Sequence, residues 1–189
     1  KVFFPDSLGL FYESFTQLIG FKNYGDEYKM MGLSSYGKPK YYELISKNIF
    51  KDEKNIKLNL KYFNHTDKNY SYKFSGKPNQ SELLNNKIKT IIKVGDLNVK
   101  NSITELQKDL AASVQKIFEN KLISIIKKIK DLNFSENLVY AGGCALNSLA
   151  NKKIYDSKSF KNIFIPYAPG DGGGSIGAAL VASKKNKNI

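Results

Sequence analysis

The chain has 189 residues, 41% of them hydrophobic and 13% aromatic, which is enough to bury a substantial core and ordinary for a globular protein. No apolar run approaches the ~20 residues of a membrane span, so no membrane partner is expected. The net charge of +13 comes from 30 basic residues, all Lys. With no Arg for bidentate phosphate or base contacts, lysines scattered among Asn and Ile read as compositional drift, and a nucleic-acid surface is not expected.

Lys1-Val2-Phe3-Phe4 is cut short by Pro5 and Asp6, so no signal peptide is expected. The missing initiator Met is expected of a piece of a longer protein. Residues 6–20 carry Leu8, Phe11, Phe15, Leu18 and Ile19 at helical spacing. Asp6 or Ser7 can cap this helix, and Gly20 sits where its C-terminus wants left-handed backbone. Glu13 falls off the apolar stripe, beside Gly9 and Ser14; taken alone, it reads as a solvated carboxylate.

Asn23, Gly25 and Asp26 signal a turn. A short helix follows, Glu27-Tyr28-Lys29-Met30-Met31-Gly32-Leu33, in which the methionines read as packing. Ser34-Ser35-Tyr36-Gly37-Lys38-Pro39 ends it, and residues 40–49 read as another short helix.

Residues 51–100 read as an insertion with its own small hairpin. Ile56-Lys57-Leu58-Asn59-Leu60 alternates like a strand, and Tyr70, Tyr72 and Phe74 alternate as its expected partner. Residues 81–93 look weakly helical. The interleaved basic and aromatic residues could bind a base or a sugar, but the plainer reading is a surface hairpin. His65, the only histidine, lies here and has no partner in the sequence pattern. Ser102-Ile103-Thr104-Glu105 reads as a capping box for a long helix to about Lys130, packing on a sheet. Only Lys121 breaks its apolar line.

Two strand–glycine–helix junctions follow. Leu138 to Ala141 is apolar throughout, as expected of a strand covered on both faces. Gly142 and Gly143 then let backbone approach a ligand, and the next helix start offers N–H groups to an anion or ribose. Asn147 is expected about one turn inside that helix, with little effect on stability if replaced by Ala. The second junction, Pro169-Gly170-Asp171-Gly172-Gly173-Gly174, holds a carboxylate among glycines at the carboxyl end of a strand. Asp171 suits a hard cation or a helix N-cap equally. The helix after it is small enough to pack tightly on a sheet. Cys144, the single cysteine, excludes an intrachain disulfide and suits a reducing cytoplasm. It reads as filler in the turn.

Four motifs occur in order: Pro5-Asp6-Ser7-Leu8-Gly9-Leu10-Phe11-Tyr12, residues 25–37, Ala141-Gly142-Gly143-Cys144-Ala145-Leu146-Asn147, and residues 169–180. Together they resemble the O-carbamoyltransferase family of nodulation-factor and antibiotic-tailoring enzymes. Its transferase domain is similar to the tRNA threonylcarbamoyl transferase subunit. The resemblance implies an α/β fold, the second RNase H-like half of an actin, sugar-kinase and heat-shock ATPase (ASKHA) domain, spanning residues 1–189 with the insertion at about 50–100. It implies a fragment of a larger cytoplasmic enzyme, inactive alone, whose remaining parts belong to the same polypeptide.

It also implies a carbamoyl-adenylate intermediate made from carbamoyl phosphate and ATP, and transfer to a hydroxyl of a small molecule such as a sugar. A divalent metal is implied at the transfer site, iron(II) by family pattern, with magnesium on the nucleotide. Asp171 matches the metal-binding, catalytic aspartate. Gly142, Gly143, Asn147 and Gly172 match the nucleotide-binding loops. Glu13 falls at an acidic ribose contact, Gly25 near a glycine contact, and Lys29 in a motif that packs on adenine or meets phosphate. The family's His-x-x-x-His metal pair is absent from this chain. The competing readings are another phosphotransferase of the superfamily, such as a sugar kinase, a tRNA threonylcarbamoyl transferase-like protein, and a non-catalytic nucleic-acid-binding module motivated by charge alone.

Overall fold

The computed structural model describes residues 1–52, 55–73, 75, 78–99 and 102–186. The chain is mixed α/β and divides into two compact units, Lys1–Ser124 and Ile125–Ile189, with the boundary inside a long helix.

The first unit is mainly helical. Helix α1 (Leu8–Leu18) starts at Ser7, whose Oγ accepts from the Leu10 N–H at 3.2 Å, and ends before Gly20 at φ 107°. Both boundaries match the capping signals. Phe11, Phe15 and Ile19 are fully buried. Each large apolar side chain so placed contributes about 2–3 kcal/mol of transfer free energy. Helix α2 (Glu27–Ser34) packs on α1 and buries Met30, whose sulfur accepts from Thr16 Oγ1 at 3.6 Å. Helix α3 (Tyr42–Ile49) buries Ile45 and Ile49.

The insertion departs from expectation. Residues 56–60 form no strand; only Leu58 is fully buried there, and it makes a single bridge to Phe50. A 3-10 turn, Leu60–Tyr62, follows. The hairpin exists but closes on itself: β1 (Tyr72–Lys73) pairs antiparallel with β2 (Asn79–Gln80), Tyr72 opposite Gln80. Phe74 lies outside the described residues. Helix α4 (Asn86–Ile92) confirms the weak helical signal and ends at Lys93 in left-handed backbone.

Helix α5 (Glu105–Asp131) starts two residues later than its first capping signal suggests. Thr104 Oγ1 accepts from the Gln107 N–H at 3.3 Å, and Gln107 Oε1 accepts from the Thr104 N–H at 2.8 Å. This is a capping box built on Thr104 and Gln107. The Gln107 amide also donates to the carbonyls of Ile19 and Asn98 at 2.8 and 2.9 Å, tying α1's end to α5's start. In this unit α5 meets helix, not sheet: Tyr12 stacks edge-on against Phe118 at 5.0 Å and donates to Gln115 at 2.7 Å. Lys121 is buried because its ammonium finds the carbonyls of Asp52 and Asn55 at 2.7 and 3.1 Å and covers the Phe50 ring.

The second unit is a βαβ unit followed by a helix. Strand β3 (Asn137–Val139) pairs parallel with β4 (Asn162–Phe164), and helix α6 (Ser148–Asp156) crosses between them. Leu138, Ala145, Ala150, Ile154 and Phe160 form its core. Val139 and Phe164 are 70% and 63% exposed, so within this unit the short sheet is not covered on both faces. Helix α7 (Gly173–Asn186) likewise exposes Leu180 and Val181 instead of packing them.

Candidate functional site

The two glycine junctions meet within the second unit. The Gly142 N–H donates to the Pro169 carbonyl at 2.7 Å. Gly142 has φ 104° and open space where a side chain would stand, so its glycine serves backbone conformation. Gly143 to Leu146 form a 3-10 turn. Asn147 does not lie inside the helix; it caps α6, its Oδ1 accepting from the Ala150 N–H at 3.0 Å, and is buried. The expectation of little stability cost on its loss is therefore corrected. A cap makes the helix start depend on it.

Asp171 is exposed at the second junction, and its carbonyl accepts from the Gly174 N–H at 3.0 Å. Gly172 is exposed beside it and its carbonyl accepts from Ser175 Oγ at 2.9 Å. Asp171 lies two residues before α7. No group of three His, Cys, Asp or Glu able to hold a metal ion occurs among the described residues. Asp171 alone offers one carboxylate donor, too few to fix a transition or divalent metal.

Two polar groups at this turn were not legible in the sequence. Tyr140 Oη and Asn151 Oδ1 are buried without a hydrogen-bond partner, while the Asn151 amide donates to the Ala145 carbonyl at 2.7 Å. Burial, with the Cys144 sulfur nearby, holds the Tyr140 hydroxyl well above its ordinary range. Burial also pushes the Cys144 thiol up, which disfavours the thiolate and fits a filler role.

The remaining predicted residues gather in the first unit. Glu13 is half-buried, not solvated, and accepts a hydrogen bond from the Gln80 amide on β2. Burial raises its carboxyl above the usual range, with Glu27 adding to the effect against the Gln80 bond. Gly25 has φ 86° in an open turn. Asp26, buried next to it, accepts from the Asn23 backbone and side chain and pairs with Lys29 Nζ at 2.7 Å. Burial pushes Asp26 up, but the Lys29 and Asn23 bonds outweigh it and hold the carboxyl low. Lys29 Nζ also lies 5.7 Å from the Tyr28 ring centre, so Asp26 and Tyr28 together hold its position. His65 sits between the Phe4 and Phe63 rings, with Nε2 2.9 Å from the Pro5 carbonyl. It packs the start of the chain.

The family model described as the carbamoyltransferase N-terminus matches residues 1–180. The chain belongs to that family. It is 38% identical over 188 residues to an uncharacterized protein of Synechocystis, covering 95% of this chain and 28% of that protein. It is 29% identical over 189 residues to the nodulation protein NolNO of Sinorhizobium fredii, covering 95% and 23%. To the nodulation protein NolO of Bradyrhizobium diazoefficiens it is 28% identical over 189 residues, covering 97% and 30%. The chain thus spans less than a third of the length of these relatives. No helix among the described residues is long and apolar enough to cross a membrane.

Proposed function

We propose that this carbamoyltransferase-family chain is part of an ATP-dependent O-carbamoyltransferase. The observation that carries the reading is the family match over residues 1–180. The same match favours carbamoyl transfer over phosphoryl transfer by a sugar kinase. In the proposed reaction carbamoyl phosphate, ATP and water give carbamoyl adenylate, phosphate and pyrophosphate, the last leaving as the bond between the α- and β-phosphates of ATP breaks. An acceptor hydroxyl oxygen then bonds to the carbamoyl carbon, the bond from that carbon to the AMP phosphate oxygen breaks, and the hydroxyl proton leaves with base or solvent. The acceptor is a small molecule bearing hydroxyls, such as a sugar or natural product. The fold assigned to this chain is the second RNase H-like half of an ASKHA-type domain, working with the remaining parts of its polypeptide in the cytoplasm.

The chain's own groups have defined work in this reading. Backbone N–H groups at Gly143 and the following turn and at Gly172 meet phosphate oxygens. Glu13 accepts from a ribose hydroxyl, and Gly25 lets that ring approach. Asn147 holds the first loop in shape through the α6 cap. Lys29 supplies positive charge near the nucleotide while Asp26 fixes its position. A metal bound at Asp171 would polarise the carbamoyl carbonyl. The donors among the described residues do not complete such a site.

The test uses the intact protein. Asp171→Ala should abolish carbamoyl transfer and leave carbamoyl-adenylate formation unchanged. Transfer at the wild-type rate by this variant would overturn the role given to Asp171.

A further inference from the structure

The insertion hairpin brings side chains onto Glu13 that no motif of the family resemblance includes. Its register sets Tyr72 directly opposite Gln80, so both side chains leave the same face of the two-stranded ribbon. On that face the Gln80 amide donates to Glu13 Oε1. Tyr72 meets the Tyr24 ring edge-on, 6.1 Å between centres. Tyr24 and Tyr72 are 54% and 40% exposed, so their rings form an open wall beside a half-buried carboxylate.

The chemistry of this group is specific. One carboxylate oxygen is occupied by an amide donor, which fixes the rotation of the Glu13 side chain. The second oxygen and the Gln80 carbonyl are acceptors, and the Tyr24 and Tyr72 hydroxyls are hydrogen-bonded to each other, which holds the two rings together. The ring faces cover the C–H surface of a small ring. Acceptors beside an exposed aromatic wall fit neighbouring hydroxyls on a carbon ring. They do not fit a phosphate, which the carboxylate repels. They do not fit a metal ion, since no three-donor group is present among the described residues.

We propose that Gln80, Tyr72 and Tyr24 form, around Glu13, a subsite for a hydroxylated sugar ring, with Gln80 as the residue that positions the Glu13 carboxylate. The ring belongs either to the nucleotide or to the acceptor. The proposal extends the reading of Glu13 given above and assigns the insertion a recognition role. Partial burial, with Glu13 close by and Tyr24 as a hydrogen-bond partner, pushes the Tyr72 hydroxyl up to about 12, so it stays neutral.

The experiment is calorimetric titration of the intact protein, comparing wild type, Gln80→Ala and Tyr72→Ala. The probes are ATP, 2′,3′-dideoxy-ATP, and free glucose and fucose. Gln80→Ala should weaken one class of ring about tenfold, the scale of one hydrogen bond to a charged group. Loss confined to ATP, with dideoxy-ATP unchanged, assigns the subsite to the nucleotide ribose. Loss confined to the free sugars assigns it to the acceptor. Gln80→Asn should restore part of the loss if positioning is the role. Unchanged affinities for every probe in both variants would overturn the proposal, as would a wild type that binds no probe. Both variants lie on an exposed hairpin, and an unchanged thermal unfolding curve confirms the fold. Because binding is read without turnover, failure here leaves the carbamoyltransferase reading standing, and loss of transfer activity alone leaves this subsite standing.

Discussion

The Gly142 N–H and the Pro169 carbonyl, 2.7 Å apart, lock the two glycine junctions of the second unit to each other. Next to this bond, Gly170 lies 3.6 Å from the Leu146 side chain, measured from where its Cβ would stand. The loops that carry Asn147 and Asp171 therefore share one short piece of framework. A change in the backbone of one is transmitted to the other.

This makes Gly142 and Gly143 separable. Gly142 has φ 104°, a region L side chains rarely adopt, and Gly143 does not. Both have open space at the Cβ position. Gly142→Ala should destabilise the junction by about 1–2 kcal/mol through backbone strain alone. Gly143→Ala should cost well under half of that. Hydrogen exchange of the amides in residues 140–150 of the intact protein measures the difference.

Asn147→Ala should destabilise the start of α6 by about 1 kcal/mol, the usual cost of a lost N-cap. Asn147→Asp should keep the cap. Exchange protection at Ala150 and Asn151 reads the cap directly, separately from any loss of nucleotide affinity.

Gly37 presses against the backbone of α5. A methyl there would overlap the Lys108 carbonyl and stand 2.7 Å from the Asp109 nitrogen. Backbone cannot step aside as a side chain can, so Gly37→Ala should cost about 3 kcal/mol or more. Gly32, inside α2 with nothing within 4 Å, is the contrast. Gly32→Ala should stabilise by about 0.5–1 kcal/mol through helix propensity. Urea unfolding of the intact protein should move in opposite directions for the two.

The turn after Gly37 is clamped by Asp109. Its carboxylate accepts from the Lys38 N–H at 2.7 Å and pairs with Lys40 Nζ at 2.6 Å. The Lys40 and Lys38 bonds hold the carboxyl below its ordinary value of 3.8. A carboxyl lowered on folding contributes stability above its unfolded value and loses it as pH falls through the folded one. Asp109→Asn should therefore lower the urea midpoint at pH 7, with the deficit fading below about pH 4.

The parts of this chain legible in its sequence are those with local, unambiguous signals. Ser7 and Gly20 bracket α1 because capping is decided within a few residues. The Ser102–Glu105 pattern places the start of α5 two residues early, because the capping box that forms is Thr104 with Gln107, which overlaps it. Gln107 is also tied to the carbonyls of Asn98 and of Ile19, the latter 88 residues away and beyond the reach of a local pattern. Alternation at 56–60 looked like a strand, yet only one bridge forms, because pairing depends on a partner segment that the pattern cannot supply. Glu13 read as solvated for the same reason, since Gln80 reaches it from 67 residues away. Family membership was legible because four motifs kept their order, and each is a local backbone device.

The most direct measurement is the product of turnover. The intact protein is incubated with carbamoyl phosphate labelled with carbon-14, ATP and a panel of sugars, and the products are separated. A carbamoyltransferase predicts AMP formation and label on an acceptor oxygen, both requiring ATP. ADP with a phosphorylated, unlabelled acceptor, or label on an acceptor without ATP, would contradict it.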